Sequence, residues 1–483
     1  PAGLQQLLQR ASVVGRIFWD AAAVRLSQET GGLKPAEVQG MLDDLRDREM
    51  ILQREESGFA GTTEYVFRHA ILRDVTYETV VPRQRRTLHR LVGDWLLEVG
   101  GERAGEHTLL VAEHYGRAEE PALAAKQLKL AGEKALNLAA YEEAATLFQR
   151  AREILTGPEH AAQRVEVDIL RAELESSRSS HAKAIEILKP ALEEARATGH
   201  ELLQANVLGQ LGRIAMWQQD AEARDRYLGE AMAIARKANH KPTMVFTLRQ
   251  LGNSIHRDDP VKARAYLEES IQLAREIGDR RSEANGLNSL GNLFGFEDDY
   301  PKALEAYEQA RDIFRELGAR SSETMVLGNL SFTHTELGDL ESAEREAKMT
   351  LAINREIGGL QFRVAGELSL ADIYLRQGRN AEAWKFALMA SNTGREAGLP
   401  LNYIPFQFGV LKLRKGDRAT GLAWIGYARK HEEAFQKEIN RDIQRMWSEL
   451  RGDLTDEETE AAMKAGENLK FEEIMAEVER EGA

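Results

Sequence analysis

The chain has 483 residues and a net charge of −14, with 78 acidic against 64 basic side chains. Because duplex binding needs a basic surface, this balance argues against a nucleic-acid partner for the chain as a whole. The chain has no cysteine, which excludes disulfides and thiolate metal sites and favours a reducing compartment, so we expect the cytoplasm.

The sequence gives no sign of a membrane partner. It contains neither an apolar run of about 18 residues nor a recognisable signal peptide. Its first residue is Pro1 rather than a methionine, from which we expect a piece of a longer protein.

Residues 1–100 are predicted to form a small domain of helices with a β-ribbon. Apolar periodicity predicts helices over Leu4–Val14, from Phe18 to Leu26 and from Pro35 onward. Met50–Leu52 and Glu64–Phe67 predict two strands on either side of a turn. Helices are predicted to follow over 69–80 and 82–99. Three helices, a two-stranded ribbon and more helix is the order of a winged-helix domain.

Beyond residue 105 the pattern is helical throughout, and a helix-ending Gly or Asn returns about every 40 residues. A period of this size predicts stacked helical hairpins, in which no unit can bury its apolar face alone. The ending residues are Gly199, Asn239, Gly278, Gly318, Gly358 and Gly398, and small residues recur with the same period at Gly212, Gly252, Gly291, Ser331 and Ala371.

These patterns predict an all-α fold, in which a superhelical solenoid follows the small winged-helix domain with its two-stranded β-ribbon. We divide the chain into a winged-helix domain (1–100), linker hairpins (101–158), a solenoid (159–437) and a C-terminal capping helix with a tail (438–483). Residues 437–451 are predicted to form the closing helix, because solenoid ends must cover their last apolar face.

The repeats resemble the tetratricopeptide repeat (TPR) in a form of about 40 residues. The small residues match the positions where neighbouring helices cross closely, since helix axes less than about 10 Å apart leave no room for large side chains. This resemblance implies a non-catalytic, protein-binding fold.

The N-terminal part is similar to the winged-helix segment of signal-transducing NTPases (the STAND class), which include MalT-like regulators and cyclase-linked ATPases. The similarity rests on residues 11–19 (ASVVGRIFW) and 67–75 (FRHAILRDV). It implies that His69, with Arg68 before it, reaches the phosphates of ADP on an NTPase domain of the same polypeptide. The plant motif has Asp after the His, whereas this chain has Ala70. The alternative is that His69 only caps the helix that it precedes.

The chain itself has no G-x-x-x-x-G-K-[S/T] run, so we expect no cofactor here and ADP or ATP only on the missing NTPase domain. No nucleophile elbow, zincin motif or dinucleotide fingerprint is present, and His107 and His114 are seven residues apart. We therefore predict no catalytic residue, no metal site and no enzymatic activity in this chain.

The repeat register predicts which side chains face the solenoid groove. Positions three before and one after each small residue include Gly328, Leu368 and Asp372 as well as several Asn and Arg residues. Asn amides and Arg guanidinium groups can hold a peptide backbone or a carboxylate, although the same residues are also common on solvated helix faces. The candidate groove residues are Arg213, Trp217, Arg249, Asn253, Asn285, Asn288, Asn292 and Phe332.

Three functions follow from these patterns. The first is the sensor arm of a STAND-type ATPase, which binds a protein, peptide or inducer in its groove and contacts its own upstream NTPase domain. The second is a free-standing TPR scaffold. The third is a winged-helix DNA-binding regulator, which the predicted recognition helix disfavours because Lys34–Glu49 carries three basic and five acidic side chains. The basic run Arg83, Arg85, Arg86 and Arg90 is a solvated helix face, a surface that docks on an acidic NTPase domain, or a weak nucleic-acid contact.

Overall fold

A computed structural model describes residues 2–100, 107–138, 140–178, 180–357, 360–399, 401–432 and 436–482. Within these ranges it contains 26 α-helices, α1–α26, and three short strands, β1–β3. The chain forms two compact units, which are described separately. The first holds Pro1–Leu136 and Ala140–Ala238, and the second holds Asn239–Ala483 with the short segment Asn137–Ala139. The four-part division at 100, 158 and 437 stays a prediction from sequence.

The first unit begins with three helices and a three-stranded antiparallel sheet of order β1-β3-β2. The predicted ribbon is present as β2 and β3, and β1 pairs with β3 along its other edge. The elements in chain order are α1 (Ala2–Val14), β1 (Ile17–Trp19), α2 (Asp20–Gly31), α3 (Pro35–Asp47), β2 (Ile51–Gln53) and β3 (Glu64–Phe67).

Strand β1 replaces the first residues of the helix predicted from Phe18. Phe18 is fully buried and lies 5.6 Å from the Tyr65 ring and 5.5 Å from the Phe67 ring, measured between ring centroids. The helix begins at Asp20, whose carboxylate accepts hydrogen bonds from its own first turn and from the Thr63 amide. Three residues are too few to show the alternation of apolar and polar residues that predicts a strand. The conformation of β1 is therefore determined by its pairing with β3.

The rest of the first unit is helical. Helices α9 and α10 pack as a hairpin, as do α11 and α12, and α9 also contacts α11. The helices are α4 (Ala70–Glu78), α5 (Pro82–Gly100), α6 (Thr108–Arg117), α7 (Pro121–Asn137), α8 (Tyr141–Ile154), α9 (Ala161–Ser177), α10 (His181–Ala197), α11 (Glu201–Trp217) and α12 (Ala221–Lys237).

The second unit consists of five successive helical hairpins followed by four C-terminal helices. The first helices of neighbouring hairpins contact one another and form one continuous layer. The helices are α13 (Lys241–Ile255), α14 (Pro260–Glu276), α15 (Arg280–Phe296), α16 (Tyr300–Glu316), α17 (Arg320–Leu337), α18 (Leu340–Ile357), α19 (Leu360–Arg376), α20 (Asn380–Ala397), α21 (Ile404–Arg414), α22 (Arg418–His431), α23 (Gln436–Arg445), α24 (Trp447–Arg451), α25 (Asp456–Gly466) and α26 (Phe471–Gly482).

The periodic small residues lie where helices cross, which explains the repeat. A Cβ on Gly291 would lie 2.6 Å from a ring carbon of Tyr307, and one on Gly252 would lie 2.7 Å from Leu267. The ending residues have positive φ, from 49° at Asn239 to 71° at Gly199, a conformation that Gly and Asn adopt most easily. Gly358 lies outside the described residues.

The C-terminal helices cover the last hairpin of the second unit. The predicted closing helix over 437–451 is interrupted at Met446 and forms two helices, α23 and α24. Helix α25 packs on α22, where Gly426 and Gly466 bring the two backbones into contact. None of the described helices combines the length and apolar character that crossing a bilayer requires.

Candidate ligand-binding and nucleotide-sensing sites

His69 precedes α4 at its N-cap position, and its side chain is exposed. It makes no capping hydrogen bond to α4, so within the described residues it does not act as the helix cap that the sequence allowed. Arg68 beside it is also exposed and forms an ion pair with Glu49. The two residues implied by the STAND resemblance therefore lie on the surface of the part of the first unit formed by α1–α5 and β1–β3. We call this part the N-terminal module.

Helix α4 also exposes apolar side chains next to His69. Ile71 is 76% exposed and Val75 is 60% exposed, one helical turn apart. The adjoining side of the helix is anchored, because Thr76 is buried and Leu72 packs on the core of the module. Adjacent exposed apolar residues on a short helix are typical of an interaction surface.

The basic run on α5 is largely paired within the first unit. Arg85 contacts Glu78 at 2.8 Å, Arg86 contacts Glu119 at 2.7 Å and Arg90 contacts Glu120 at 2.8 Å. Arg46 of α3 and Arg48, which directly follows this helix, also form ion pairs, with Asp43 and Asp44 respectively. These ion pairs reduce the positive charge that either helix offers to a phosphate backbone.

Two candidate groove residues, Arg213 and Trp217, lie on α11 in the first unit. Trp217 is 65% exposed, and its ring stacks on His181 with 6.2 Å between centroids. Arg213 is half-buried, and its Nε and Nη2 atoms have no hydrogen-bond partner among the described residues. Burial lowers the pKa of the Arg213 guanidinium below its usual value, against the opposing effect of the Glu173 carboxylate.

The remaining candidates lie in the second unit, where two of them join a hydrogen-bonded network. The Asn329 amide donates to the Asn288 carbonyl at 3.0 Å and to the Asn292 carbonyl at 3.3 Å. The Tyr307 hydroxyl donates to the same Asn292 oxygen at 2.8 Å. Asn288 is buried, whereas Asn292 is exposed, so the network holds Asn292 in place at the surface.

The other groove candidates stand apart from this network. Asn253 and Asn285 are half-buried, and Arg249 lies with its guanidinium carbon 5.6 Å from the Phe246 ring centroid. Phe332 is exposed and approaches Tyr300, with 6.5 Å between ring centroids.

A cavity of about 630 Å³ lies within the second unit, between the first helices of two hairpins and α23. The four positions Gly328, Phe332, Leu368 and Asp372, which the repeat register projects toward the groove, all line it. Asn329 also lines it and connects it to Asn288 and Asn292. The structure thus brings Phe332 and the asparagine network to neighbouring positions.

One end of the cavity is formed by a cluster of ion pairs centred on Arg376. Its guanidinium contacts Glu336 at 2.9 Å, Asp372 at 3.0 Å and Asp442 at 3.2 Å. Arg441 and Arg445 on α23 also contact Glu336, at 2.7 and 3.1 Å. We call Glu336, Asp372, Arg376, Arg441, Asp442 and Arg445 the ion cluster.

Burial shapes the ionisation of this cluster. Burial and the neighbouring Asp372 carboxylate raise the pKa of Asp442 to about 7. Burial likewise raises the pKa of Asp372, against the charge of Arg376. Burial opposes ionisation of Glu336 too, but a hydrogen bond from Arg441 and the charges of Arg376 and Arg445 lower the pKa of this carboxyl.

Sequence reasoning missed Asn329, Arg376 and the α23 residues of this site. Asn329 directly follows the projected groove position Gly328, so including the residues next to each projected position would have identified it. Arg376 and Asp442 are 66 residues apart, and no local pattern connects them. No group of three or more His, Cys, Asp or Glu side chains in the described ranges is arranged to hold a metal ion.

Residues 243–316 match the model of the tetratricopeptide repeat family. No curated protein sequence matches the chain. Among solved structures, it is similar to a Signal Transduction ATPase with Numerous Domains (STAND) protein with a tetratricopeptide repeat sensor from Pyrococcus horikoshii. The similarity has a TM-score of 0.64 at 16% identity and covers 92% of this chain but 65% of that one, less than two thirds of its length.

Two other structures are similar over parts of the chain. One is a Rap protein complexed with Competence and Sporulation Factor, with a TM-score of 0.47 at 13% identity, covering 71% of this chain and 99% of that one. The other is BtubC from P. vanneervenii, with a TM-score of 0.36 at 18% identity, covering 47% of this chain and 93% of that one.

Proposed function

We propose that this chain is the non-catalytic sensor arm of a STAND-type signalling ATPase of the cytoplasm. The observation that carries the proposal is the similarity in fold over 92% of the chain to a STAND protein with a tetratricopeptide repeat sensor. In this proposal the repeats bind a protein, a peptide or a small inducer, and an NTPase domain of the same polypeptide binds ADP or ATP.

The N-terminal module supplies the second part of the proposal. Its order of helix, strand, two helices and two strands supports the assignment of a winged-helix domain. The exposed His69 and Arg68 then contact the nucleotide phosphates, and the apolar side chains of Ile71 and Val75 dock on the NTPase domain. The exposure of all four side chains supports this arrangement.

Ligand binding would be coupled to the nucleotide through two global states. In the resting state the winged helix holds ADP through His69, and in the active state His69 leaves the phosphates. A ligand shifts this equilibrium only if it binds the repeats more tightly in the active state. The coupling is reciprocal, so ADP must weaken ligand binding by the same factor.

We expect His69→Ala to speed ADP release from the full-length protein by about tenfold to a hundredfold, because a hydrogen bond to a charged phosphate contributes about 1.5–3 kcal/mol. The measurement is the dissociation rate of a fluorescent ADP analogue in stopped flow. His200→Ala is the matched control, since His200 is also an exposed N-cap residue without a side-chain capping bond. Equal release rates for wild type and His69→Ala would contradict the sensing role.

The coding region ahead of Pro1 provides a direct test of the proposal. A P-loop after a predicted strand, about 200 to 300 residues upstream as in the typical STAND order, would support it. A start codon immediately before Pro1 would leave His69 without a phosphate to contact. The chain would then be a free-standing TPR scaffold that joins two proteins.

A further inference from the structure

The cavity of the second unit combines apolar walls with an excess of carboxylates. Met325, Phe332, Phe362, Leu368 and Leu401 provide apolar side chains. The charged side chains of the lining are Glu336, Asp372, Glu438 and Asp442 against Arg376. Its volume of about 630 Å³ is that of a typical small-molecule site.

Asp372 is the least compensated carboxylate of the ion cluster. Arg376 is the cation that contacts it within the described chain, and Arg376 is shared with Glu336 and Asp442. Glu336 and Asp442 have further cationic contacts from α23, whereas those arginines do not reach Asp372 within ion-pair distance. A cation that enters the cavity would therefore gain most at Asp372.

A second, independent feature also indicates an occupant. Thr350 lines the cavity and is 1% exposed, and its Oγ1 has no hydrogen-bond partner among the residues that the structure describes. Buried hydroxyl groups are nearly always hydrogen-bonded, to protein or to a bound molecule. A polar ligand group beside Thr350 would satisfy this hydroxyl once the threonine side chain rotates toward the cavity.

We infer that this cavity binds an apolar group carrying one cationic amine, with the ammonium at Asp372 and the apolar part against Phe332 and Leu368. The inference deepens the proposed function, on which it rests, by giving the chemical class of the sensed ligand. A free amine and a lysine side chain of a peptide share this chemistry. A ligand of either source displaces no protein group, because the cavity is already formed.

The test is isothermal titration calorimetry of the chain with three probes of one skeleton: 4-phenylbutylamine, 4-phenylbutan-1-ol and 4-phenylbutyrate. The amine should bind at least about tenfold more tightly than the alcohol and the acid, as a charge-assisted hydrogen bond requires. The acetylated, amidated tripeptide Leu-Lys-Phe forms the peptide arm. Binding of the tripeptide without the free amine would assign the source to peptides, and the converse would assign it to free amines.

Two variants locate the bound amine. Asp372→Asn should remove the preference for the amine over the alcohol, since the amide keeps its shape but loses its charge. Gly328→Leu should abolish binding because the leucine side chain fills the cavity. This variant leaves the ion cluster unchanged, so it still tests the site if Asp372→Asn fails to fold. A side chain at Gly328 meets nothing within 4 Å of its Cβ. Gly229→Leu is the matched control, because Gly229 is equally open and lies on α12 of the first unit.

Equal measurable affinity for amine and alcohol, failure of both the amine and the tripeptide to bind, or wild-type binding by Gly328→Leu would overturn the inference. These outcomes are distinguishable from failure of the proposed function, because ADP release from the His69→Ala protein does not depend on the cavity. If the wild-type chain binds neither the amine nor the tripeptide but His69→Ala releases ADP faster, only the inferred ligand class is contradicted. If the wild-type chain binds the amine but His69→Ala releases ADP at the wild-type rate, only the nucleotide-sensing role is contradicted.

Discussion

Replacing Gly426 with valine is expected to detach helices α25 and α26 from the end of the repeats and to destabilise the second unit by about 3 kcal/mol. A Cβ on Gly426 would lie 1.8 Å from the carbonyl oxygen of Met463. The reciprocal contact is equally close, since a Cβ on Gly466 would lie 1.7 Å from the Ala423 carbonyl oxygen. Both obstacles are backbone atoms, so no side chain can rotate to make room.

Detachment would expose apolar side chains of the two helices that are now buried, including Met463, Ile474 and Val478. The measurement is hydrogen–deuterium exchange over 456–482, together with the urea midpoint of unfolding. Gly229→Val is the control, because the same substitution there meets nothing within 4 Å. Protected α25 amides and an unchanged midpoint in Gly426→Val would show that the helices tolerate a wider separation.

Acidification is expected to destabilise the first unit through a buried histidine pair. His89 and His114 are 0% and 4% exposed, and their Nδ1 atoms are 2.9 Å apart. The Tyr77 hydroxyl lies 2.9 Å from the other ring nitrogen of His89. Burial, helped by the charges of His114 and Arg117, lowers the pKa of His89 to about 3. Burial and Arg117 lower the pKa of His114 to about 4, against a hydrogen bond that the ring donates to the Val14 backbone.

The direction of the pH effect follows from these lowered pKa values. Between pH 6.5 and about 3 the unfolded state binds more protons at these sites than the folded state, so stability rises with pH. The contribution is complete above pH 6.5 and is lost as the pH falls toward 3. For His89 alone it amounts to roughly 5 kcal/mol at its limit, at about 1.4 kcal/mol for each pKa unit.

The measurement is the free energy of unfolding between pH 7.5 and 4.5 for wild type and for the double variant His89→Gln, His114→Gln. The difference in stability between the two proteins should shrink as the pH falls, because glutamine does not titrate. Comparing slopes removes the opposing effect of Asp442, whose pKa is raised and which lies in the other unit. His200→Gln, at an exposed histidine, should keep the wild-type slope. Parallel slopes for wild type and the double variant would contradict this account.

The repeat architecture could be read from the sequence because its causes are local. Gly199 and Asn239 end helices through their own positive φ, and Gly252 and Gly291 are small because a neighbouring helix occupies the space of a side chain. The same period gives the register of a helix face. That register placed Gly328, Phe332, Leu368 and Asp372 on one side, and the structure gathers them in one cavity.

The rest was decided by tertiary structure. Strand β1 is only three residues long, and its conformation follows from pairing with β3 nearly 50 residues later. The ion cluster joins Glu336 and Arg376 to the α23 residues Arg441 and Asp442, across separations of 66 to 105 residues. Sequence periodicity identifies which face of a helix is buried, but long-range contacts depend on where the chain returns in space. The single sequence could therefore predict the groove face with Asp372, whereas the ion pairs around this carboxylate required the folded C-terminal helices.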